Sequence, residues 1–279
     1  VSALARRPGG VLTCDFAVIA GIFTAMRLGR PLLVEGAVTR SLLANLEEFQ
    51  SAWHAWMPHQ YRPVDIVARE EITDPPLAKP AAVFAFSGGV DSTHTVLLHT
   101  TRSAGRRNLS PAGGVLIHGL DIDLDQEAAF DRAAGSARAM LDTLGMPLAT
   151  VRTDWRRQLC HNWRMEHMAG IAAALNQFQG LANVAVVGSD EGYDKLDIPW
   201  GSNLVTNPLL GGAMQLRTEG AGVTRTEKLA FIAANSALAP KLRVCWEHSG
   251  SGANCGICEK CISTQLNFRA CGLEPAGFA

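Results

Sequence analysis

A short segment combines hydroxyl groups, paired glycines and a carboxylate in the order Ser87-Gly88-Gly89-Val90-Asp91-Ser92. Adjacent glycines let a backbone approach an anion without a Cβ clash, and a helix that starts there adds unpaired N–H groups and part of a positive charge. The hydroxyls can donate hydrogen bonds, whereas Asp91 would repel a phosphate unless it held Mg²⁺ or capped the turn. The segment therefore predicts a metal-bridged pyrophosphate site, with a plain turn capped by Asp91 as the alternative.

A second group of reactive side chains lies near the end of the chain, where cysteines follow the spacing C-x₉-C-x₂-C-x₂-C. Four thiolates at this spacing suit a tetrahedral Zn²⁺ ion, and the charge of Lys260 would offset theirs. An iron–sulfur cluster has the same sequence requirements, ordinary buried thiols are a further alternative, and His248 could replace the first cysteine as a ligand. The predicted ligands are Cys245, Cys255, Cys258 and Cys261.

The elements around these groups alternate between strands and helices. The apolar run 81–86 precedes the glycine segment directly, which is typical of a strand buried on both faces. Apolar runs and amphipathic stretches then follow in turn, and such alternation predicts βαβ units and a parallel sheet. The predicted strands are 115–117, 147–153 and 184–187, and the predicted helices are 126–144 and 163–179.

Ligands of parallel sheets bind beyond the carboxyl ends of the strands. Asp121, after the second predicted strand, could contact a ribose or Mg²⁺, and Gly188 and Ser189 follow the fourth strand. Arg152 and Asp154 end the third strand. Turn capping is the alternative role for these polar side chains.

The residues before the glycine segment have a different character. Residues 30–35 predict a short strand, and Ser41 could cap a helix over 42–56. Prolines concentrated in 73–80 indicate an extended linker. We therefore divide the chain into a small N-terminal α/β appendage, 1–78, and a main domain, 79–279, that contains the cysteine site at 245–261.

Composition excludes several classes of protein. Of 279 residues, 25 are Lys or Arg and 26 are Asp or Glu, and the near-neutral balance argues against a nucleic-acid partner. Seven cysteines are too few for a disulfide scaffold, and their clustering favours a metal site in a reducing compartment. No apolar run reaches the ~18 residues of a membrane span, and residues 1–10 lack the order of a secretory signal. We expect a cytoplasmic protein with no membrane partner.

The segment 87–92, directly after a strand, resembles the signature of the PP-loop ATP pyrophosphatases. With Cys255-Gly256-Ile257-Cys258-Glu259-Lys260-Cys261 near the C-terminus, the chain is similar over about 81–271 to the 7-cyano-7-deazaguanine synthase (QueC) family. The appendage 1–78 is foreign to that family, and loops such as 188–193 carry no recognisable substrate signature.

The resemblance implies an α/β fold with a doubly wound, Rossmann-like parallel sheet and a zinc site. It also implies a reaction in which ATP is cleaved between its α and β phosphates, a substrate oxygen is adenylated, and a nitrogen nucleophile displaces AMP. Residues 87–92 would hold the departing pyrophosphate with Mg²⁺, with Asp91 and Ser92 among the catalytic residues. Arg225 and Lys228 are the basic candidates for phosphate contact, and a solvated helix start is their alternative role.

Three functions follow from these residues. The first is an ATP-dependent ligase or amidotransferase that acts on a carboxylate or amide of a small molecule. The second is a sulfur transferase of the same fold, in which Cys160 beside His161 would carry the sulfur. The third is a zinc-containing protein that binds a nucleotide without catalysis. A homodimer is compatible with each of them.

Overall fold

The computed structural model describes residues 13–74, 81–245 and 251–278. Three sequence predictions fall outside these ranges: the secretory-signal test on 1–10, most of the linker 73–80, and His248 as an alternative ligand.

The chain forms eight helices and seven strands within the described residues. In chain order the elements are α1 (Asp15–Leu28), β1 (Leu32–Thr39), α2 (Arg40–Trp56), β2 (Ile66–Ile72), β3 (Ala82–Ala85), α3 (Val90–Thr100), β4 (Pro111–His118), α4 (Glu127–Asp142), β5 (Leu148–Arg152), α5 (Trp155–Gln158), α6 (Trp163–Asn176), β6 (Val184–Gly188), β7 (Gln215–Glu219), α7 (Arg225–Asn235) and α8 (Glu259–Ala270).

Five of the strands form one parallel sheet in the order β5-β4-β3-β6-β7. From the central strand β3 the chain first adds β4 and β5 on one side of the sheet and then β6 and β7 on the other side. The strand order therefore reverses at β3. A reversal of this kind leaves a crevice at the carboxyl ends of the two central strands, and the glycine segment lies there.

Helices cover both faces of this sheet. Along β3 the side chain of Phe84 packs with α4 and α7 in one apolar cluster, and its neighbour Val83 packs with α1 and α6 in another. Successive side chains of a strand point to opposite faces, so the uninterrupted apolar sequence of β3 reflects burial on both sides. The prediction of a parallel-sheet α/β protein is confirmed.

The N-terminal residues add a second, two-stranded parallel sheet of β1 and β2. Helix α1 packs along α6, so the apolar residues of α1 and α2 share a cluster with one face of the large sheet. A buried carboxylate joins these elements, because Asp15 accepts hydrogen bonds from the backbone N–H of Thr39 at 2.9 Å and from its hydroxyl at 2.7 Å. The division at residue 78 falls in a part of the chain outside the described ranges and stays a prediction.

The strand and helix predictions within 81–188 match the structure to within a few residues at each end. The predicted cap of α2 is wrong. This helix begins at Arg40 with Thr39 as its N-cap, while the hydroxyl of Ser41 donates to Asp74 at 2.7 Å. Strand β1 runs directly into α2 without a loop, so the helix starts earlier than the serine suggests.

Helices α1, α5 and α8 and strands β2 and β7 were not predicted from the sequence, and α7 was considered only as a helix start at Arg225 and Lys228. Among the helices that the structure describes, none is both long and apolar enough to cross a bilayer.

Candidate functional site: the glycine loop and the cysteine cluster

The glycine segment forms the loop between β3 and α3, as its sequence predicts. Gly88 adopts φ +77°, a conformation that favours glycine. Gly89 is the N-cap of α3, and the first backbone bond of this helix runs from Thr93 N–H to Gly89 O at 3.0 Å. The N–H groups of the preceding helical residues, 90–92, therefore have no partner within the helix. These free donors and the helix dipole favour an anion at this end of α3.

Asp91 is bound by two cations rather than free to face a ligand. Its carboxylate accepts from Arg225 at 2.7 Å and from Lys228 at 2.9 Å, and all three side chains are largely buried. Burial alone would raise the pKa of Asp91, but the charges of Arg225 and Lys228 outweigh it and hold the pKa below its usual value. The carboxylate is thus ionised and neutralised by its partners, so its repulsion toward a phosphate is offset without a metal ion.

Helix α7 brings the two cations to Asp91 because they lie one turn apart. Thr224 and Glu227 form a capping box, in which the Thr224 hydroxyl accepts from Glu227 N–H and the Glu227 carboxylate accepts from Thr224 N–H. This cap fixes the start of α7 with Arg225 in its first turn. Lys228 also donates to the carbonyl of Ser189, which links α7 to the end of β6. The hydroxyl of Ser189 donates to Glu191 O instead of facing the loop.

Gly188, at the end of β6, touches the start of α3. A Cβ atom at this position would lie 2.5 Å from the carbonyl oxygen of Asp91, so any side chain would displace the loop. The predicted residues Gly188 and Ser189 therefore support the site through their backbones.

A small cavity of about 70 Å³ opens between the loop and the cysteine region. This volume is well below the ~300 Å³ of a pocket for a whole small molecule, so it suits a phosphate group with the rest of the ligand outside. The predicted residue Asp121 lies in its wall. The cavity is lined by Ser87, Gly89, Val90, Asp91, Ser92, Asp121, Arg225, Arg243, Val244, Cys245 and Lys260.

Cations outnumber carboxylates in the wall of this cavity, and some of their hydrogen-bond donors are unused. The Nε atoms of Arg225 and Arg243 are buried and have no hydrogen-bond partner among the described residues. Burial lowers the pKa of Arg243, and its guanidinium makes one hydrogen bond, to Cys245 O at 3.2 Å. Because buried cations require compensation, the cavity is suited to an anion.

Arg243 and Lys260 were not among the sequence-predicted phosphate contacts. Each is close in sequence to a cysteine of the cluster, Arg243 two residues before Cys245 and Lys260 between Cys258 and Cys261. Their position beside cysteines indicates a phosphate contact only when the cluster is known to lie against the glycine loop.

The four predicted cysteine ligands converge. Their sulfur atoms all lie within 4.8 Å of one another, with Cys245 and Cys258 separated by 3.9 Å and Cys255 and Cys261 by 3.9 Å. Sulfurs at 2.3 Å from one tetrahedral ion are about 3.8 Å apart, so the group could hold a metal ion such as zinc. A four-iron cluster binds each thiolate to a different iron and needs a wider spread. Ile257 N–H donates to Cys255, and this is the main reason that the pKa of its thiol falls to about 6, which favours the metal-binding thiolate.

Cys160 lies apart from the cavity and its thiol is protonated at neutral pH. Burial and the adjacent Glu166 raise the pKa of Cys160 to about 12. Glu166 is itself buried and accepts from the Tyr61 hydroxyl at 2.8 Å and from His161 N–H at 2.8 Å. The surroundings of Cys160 are thus those of a structural thiol rather than of a nucleophile.

A larger groove of about 950 Å³ runs along the outer edge of β5. Arg152 and Asp154 line it, together with residues of α1, α4 and α6, and Arg152 is paired with Glu127 at 2.8 Å. No residue of the glycine loop or of the cysteine cluster reaches this groove. Its size suits a small molecule, but the predicted chemistry is concentrated at the smaller cavity.

Comparison of the chain with family models, with curated proteins and with solved structures finds no match.

Proposed function

We propose that this protein is an ATP-dependent ligase that forms AMP and pyrophosphate, with a doubly wound fold of the PP-loop type. One observation carries the proposal. The glycine loop at the start of α3 faces a phosphate-sized cavity whose wall holds three cations, Arg225, Arg243 and Lys260, and two carboxylates, Asp91 and Asp121. Lys228 also pairs with Asp91, so the charge of this carboxylate is neutralised. Free helix N–H groups and unmatched guanidinium donors are the groups that bind a polyphosphate.

The proposed reaction follows from what this cavity can stabilise. A carboxylate or amide oxygen of a small molecule attacks the α phosphorus of ATP, the bond between the α phosphorus and the bridging oxygen breaks, and pyrophosphate leaves with the electron pair. A nitrogen nucleophile then attacks the activated carbon and displaces AMP. The cations of the cavity stabilise the charge that develops on the leaving pyrophosphate, and the loop holds it in line.

A divalent cation such as Mg²⁺ would supply positive charge that offsets the charge of the phosphates in this step. Both oxygens of Asp91 are engaged by cations, so Asp121 is the other carboxylate of the cavity wall that could hold Mg²⁺. The carboxylate of Asp121 is an oxygen ligand of the kind that Mg²⁺ prefers, while the cysteine cluster, with its sulfur ligands, suits zinc.

Product analysis tests the proposal. Radiolabelled ATP is incubated with Mg²⁺, ammonium and a panel of small carboxylates, and AMP with pyrophosphate is separated from ADP with phosphate. We expect AMP formation to fall about 100- to 1,000-fold in Lys228→Met, which removes a buried cation. Lys241→Met, a change of the same kind at an exposed position outside the cavity, is the matched control. Formation of ADP instead of AMP would refute the reaction type.

Two other functions are distinguished by the same assay. A sulfur transferase that uses Cys160 would lose turnover in Cys160→Ser while pyrophosphate exchange survived, but the raised pKa of this thiol favours the ligase. A nucleotide-binding protein without catalysis would bind ATP and release no AMP with any acceptor. Cytoplasmic location and a homodimer remain predictions.

A further inference from the structure

The wall of the phosphate cavity is formed in part by residues of the cysteine region. Cys245 belongs to the cluster and also lines the cavity. Lys260, which stands between Cys258 and Cys261 in the sequence, lines the cavity as well. The segment 242–245 links the cluster to the glycine loop.

Backbone contacts fix this segment directly on the loop. The N–H of Arg243 donates to Gly88 O at 2.9 Å, and Arg243 O lies 3.5 Å from where a Cβ of Gly89 would be. On its other side, Asn254 accepts from the N–H of Val244 at 2.8 Å and from that of Cys245 at 3.3 Å. The segment that presents Arg243 to the cavity therefore leads directly into Cys245, the first cysteine of the cluster.

The start of α8 makes a second connection. Cys258 is the N-cap of this helix and Lys260 lies in its first turn. Thr264, one turn later, donates to Lys260 O at 2.7 Å and accepts from Arg225 at 3.5 Å. An ion bound by Cys258 and Cys261 would fix the first turn of α8, and with it the position of Lys260 relative to Arg225.

We infer that metal binding at the four cysteines and phosphate binding at the glycine loop are coupled, because the metal ion holds Arg243 and Lys260 in the phosphate cavity. Arg243 and Lys260 are then phosphate-binding residues, and the cysteines are positioning residues that act through them. This inference rests on the proposed function in requiring that the cavity bind the phosphate tail. Coupling between two binding equilibria is reciprocal, so the nucleotide must also strengthen metal binding.

The direct test compares nucleotide affinity with and without the metal. Isothermal titration calorimetry with α,β-methylene-ATP and Mg²⁺ is performed on zinc-loaded protein, on protein stripped by a chelator and desalted, and on Cys258→Ser. We expect stripped protein and Cys258→Ser to bind at least ~100-fold more weakly, because each charge-assisted contact supplies about tenfold or more. Circular dichroism records whether the fold persists. Cys160→Ser, outside the cluster, is the thiol control and should keep full affinity.

Variants of the two cations separate positioning from loss of fold. Arg243→Ala and Lys260→Ala should each bind the analogue ~10- to 100-fold more weakly while zinc content stays at one ion per chain. Lys241→Ala, an exposed lysine outside the cavity, is the matched control and should bind like the wild type.

The reciprocal measurement determines zinc affinity by equilibrium competition with a chromogenic chelator. We expect saturating analogue to tighten zinc binding by the same factor, at least ~100-fold, in the wild type and much less in Arg243→Ala. Unchanged nucleotide affinity in folded, stripped protein, or a zinc affinity that does not change with the nucleotide, would overturn the coupling. If zinc-loaded wild type binds no analogue at all, the proposed function fails instead, so the two failures are distinguishable.

Discussion

Replacement of Asp91 by asparagine tests the arrangement of charges around the glycine loop. The amide keeps the size of the side chain but cannot neutralise Lys228 and Arg225, whose side chains are 4% and 24% exposed. Removal of one partner from a buried ion pair costs about 3–5 kcal/mol. Arg225 retains solvent contact and Lys228 retains the Ser189 carbonyl, so we expect the lower end, about 3 kcal/mol. At about 2–4 °C per kcal/mol for a large domain, the melting temperature should fall by roughly 6–12 °C.

A double-mutant cycle shows whether this loss comes from the stranded charge. Lys228→Met in the Asp91→Asn background removes the cation that the first change leaves uncompensated. The double variant should therefore be more stable than the sum of the single changes predicts, with a coupling energy of about 2 kcal/mol measured by urea denaturation. Additive effects, or an Asp91→Asn variant within about 0.5 kcal/mol of the wild type, would refute the structural role given to this ion pair.

Three further predictions follow from the same contacts. Gly188→Ala places a Cβ 2.5 Å from the carbonyl oxygen of Asp91, so we expect a loss of about 1–3 kcal/mol in unfolding free energy and weaker nucleotide binding; unchanged values for both would contradict the packing. Burial, with the charge of Lys228, lowers the pKa of His94 to about 4. Between pH 6.5 and 4, His94 is therefore protonated in the unfolded state but not in the folded state. Stability should fall by up to about 3 kcal/mol between pH 6.5 and 4, and His94→Leu should flatten this slope in urea titrations at several pH values. Elemental analysis should find one metal ion per chain and none in Cys255→Ser; full occupancy in that variant would exclude a four-cysteine site.

The parts of the fold that could be predicted are those encoded in short stretches of sequence. The apolar run at β3 needs burial on both faces, and the glycine loop that follows it is identified by six adjacent residues. The tight spacing of the last three cysteines likewise limits where their sulfurs can point. Alternation of strands and helices then predicts a parallel sheet without reference to loops.

The parts that could not be predicted depend on contacts distant in sequence. Asp91 meets Arg225, which lies 134 positions later in the chain, and Arg243 reaches Gly88 only because the cysteine segment folds back over the loop. Nothing in the residues near Asp91 indicates that its carboxylate is occupied by cations. The start of α2 was misplaced because Thr39, which ends β1, is the N-cap residue of α2, although its hydroxyl donates to Asp15, 24 positions earlier, and not to the helix.

Binding of the phosphate tail of a nucleotide at the glycine loop can be measured by calorimetric titration of the zinc-loaded protein. The titrations contain Mg²⁺ and, separately, α,β-methylene-ATP, pyrophosphate and AMP. We expect the analogue and pyrophosphate to bind and AMP to bind far more weakly, because the cations of the cavity contact phosphates that AMP lacks. Equal binding of AMP and the analogue with no binding of pyrophosphate would contradict this expectation.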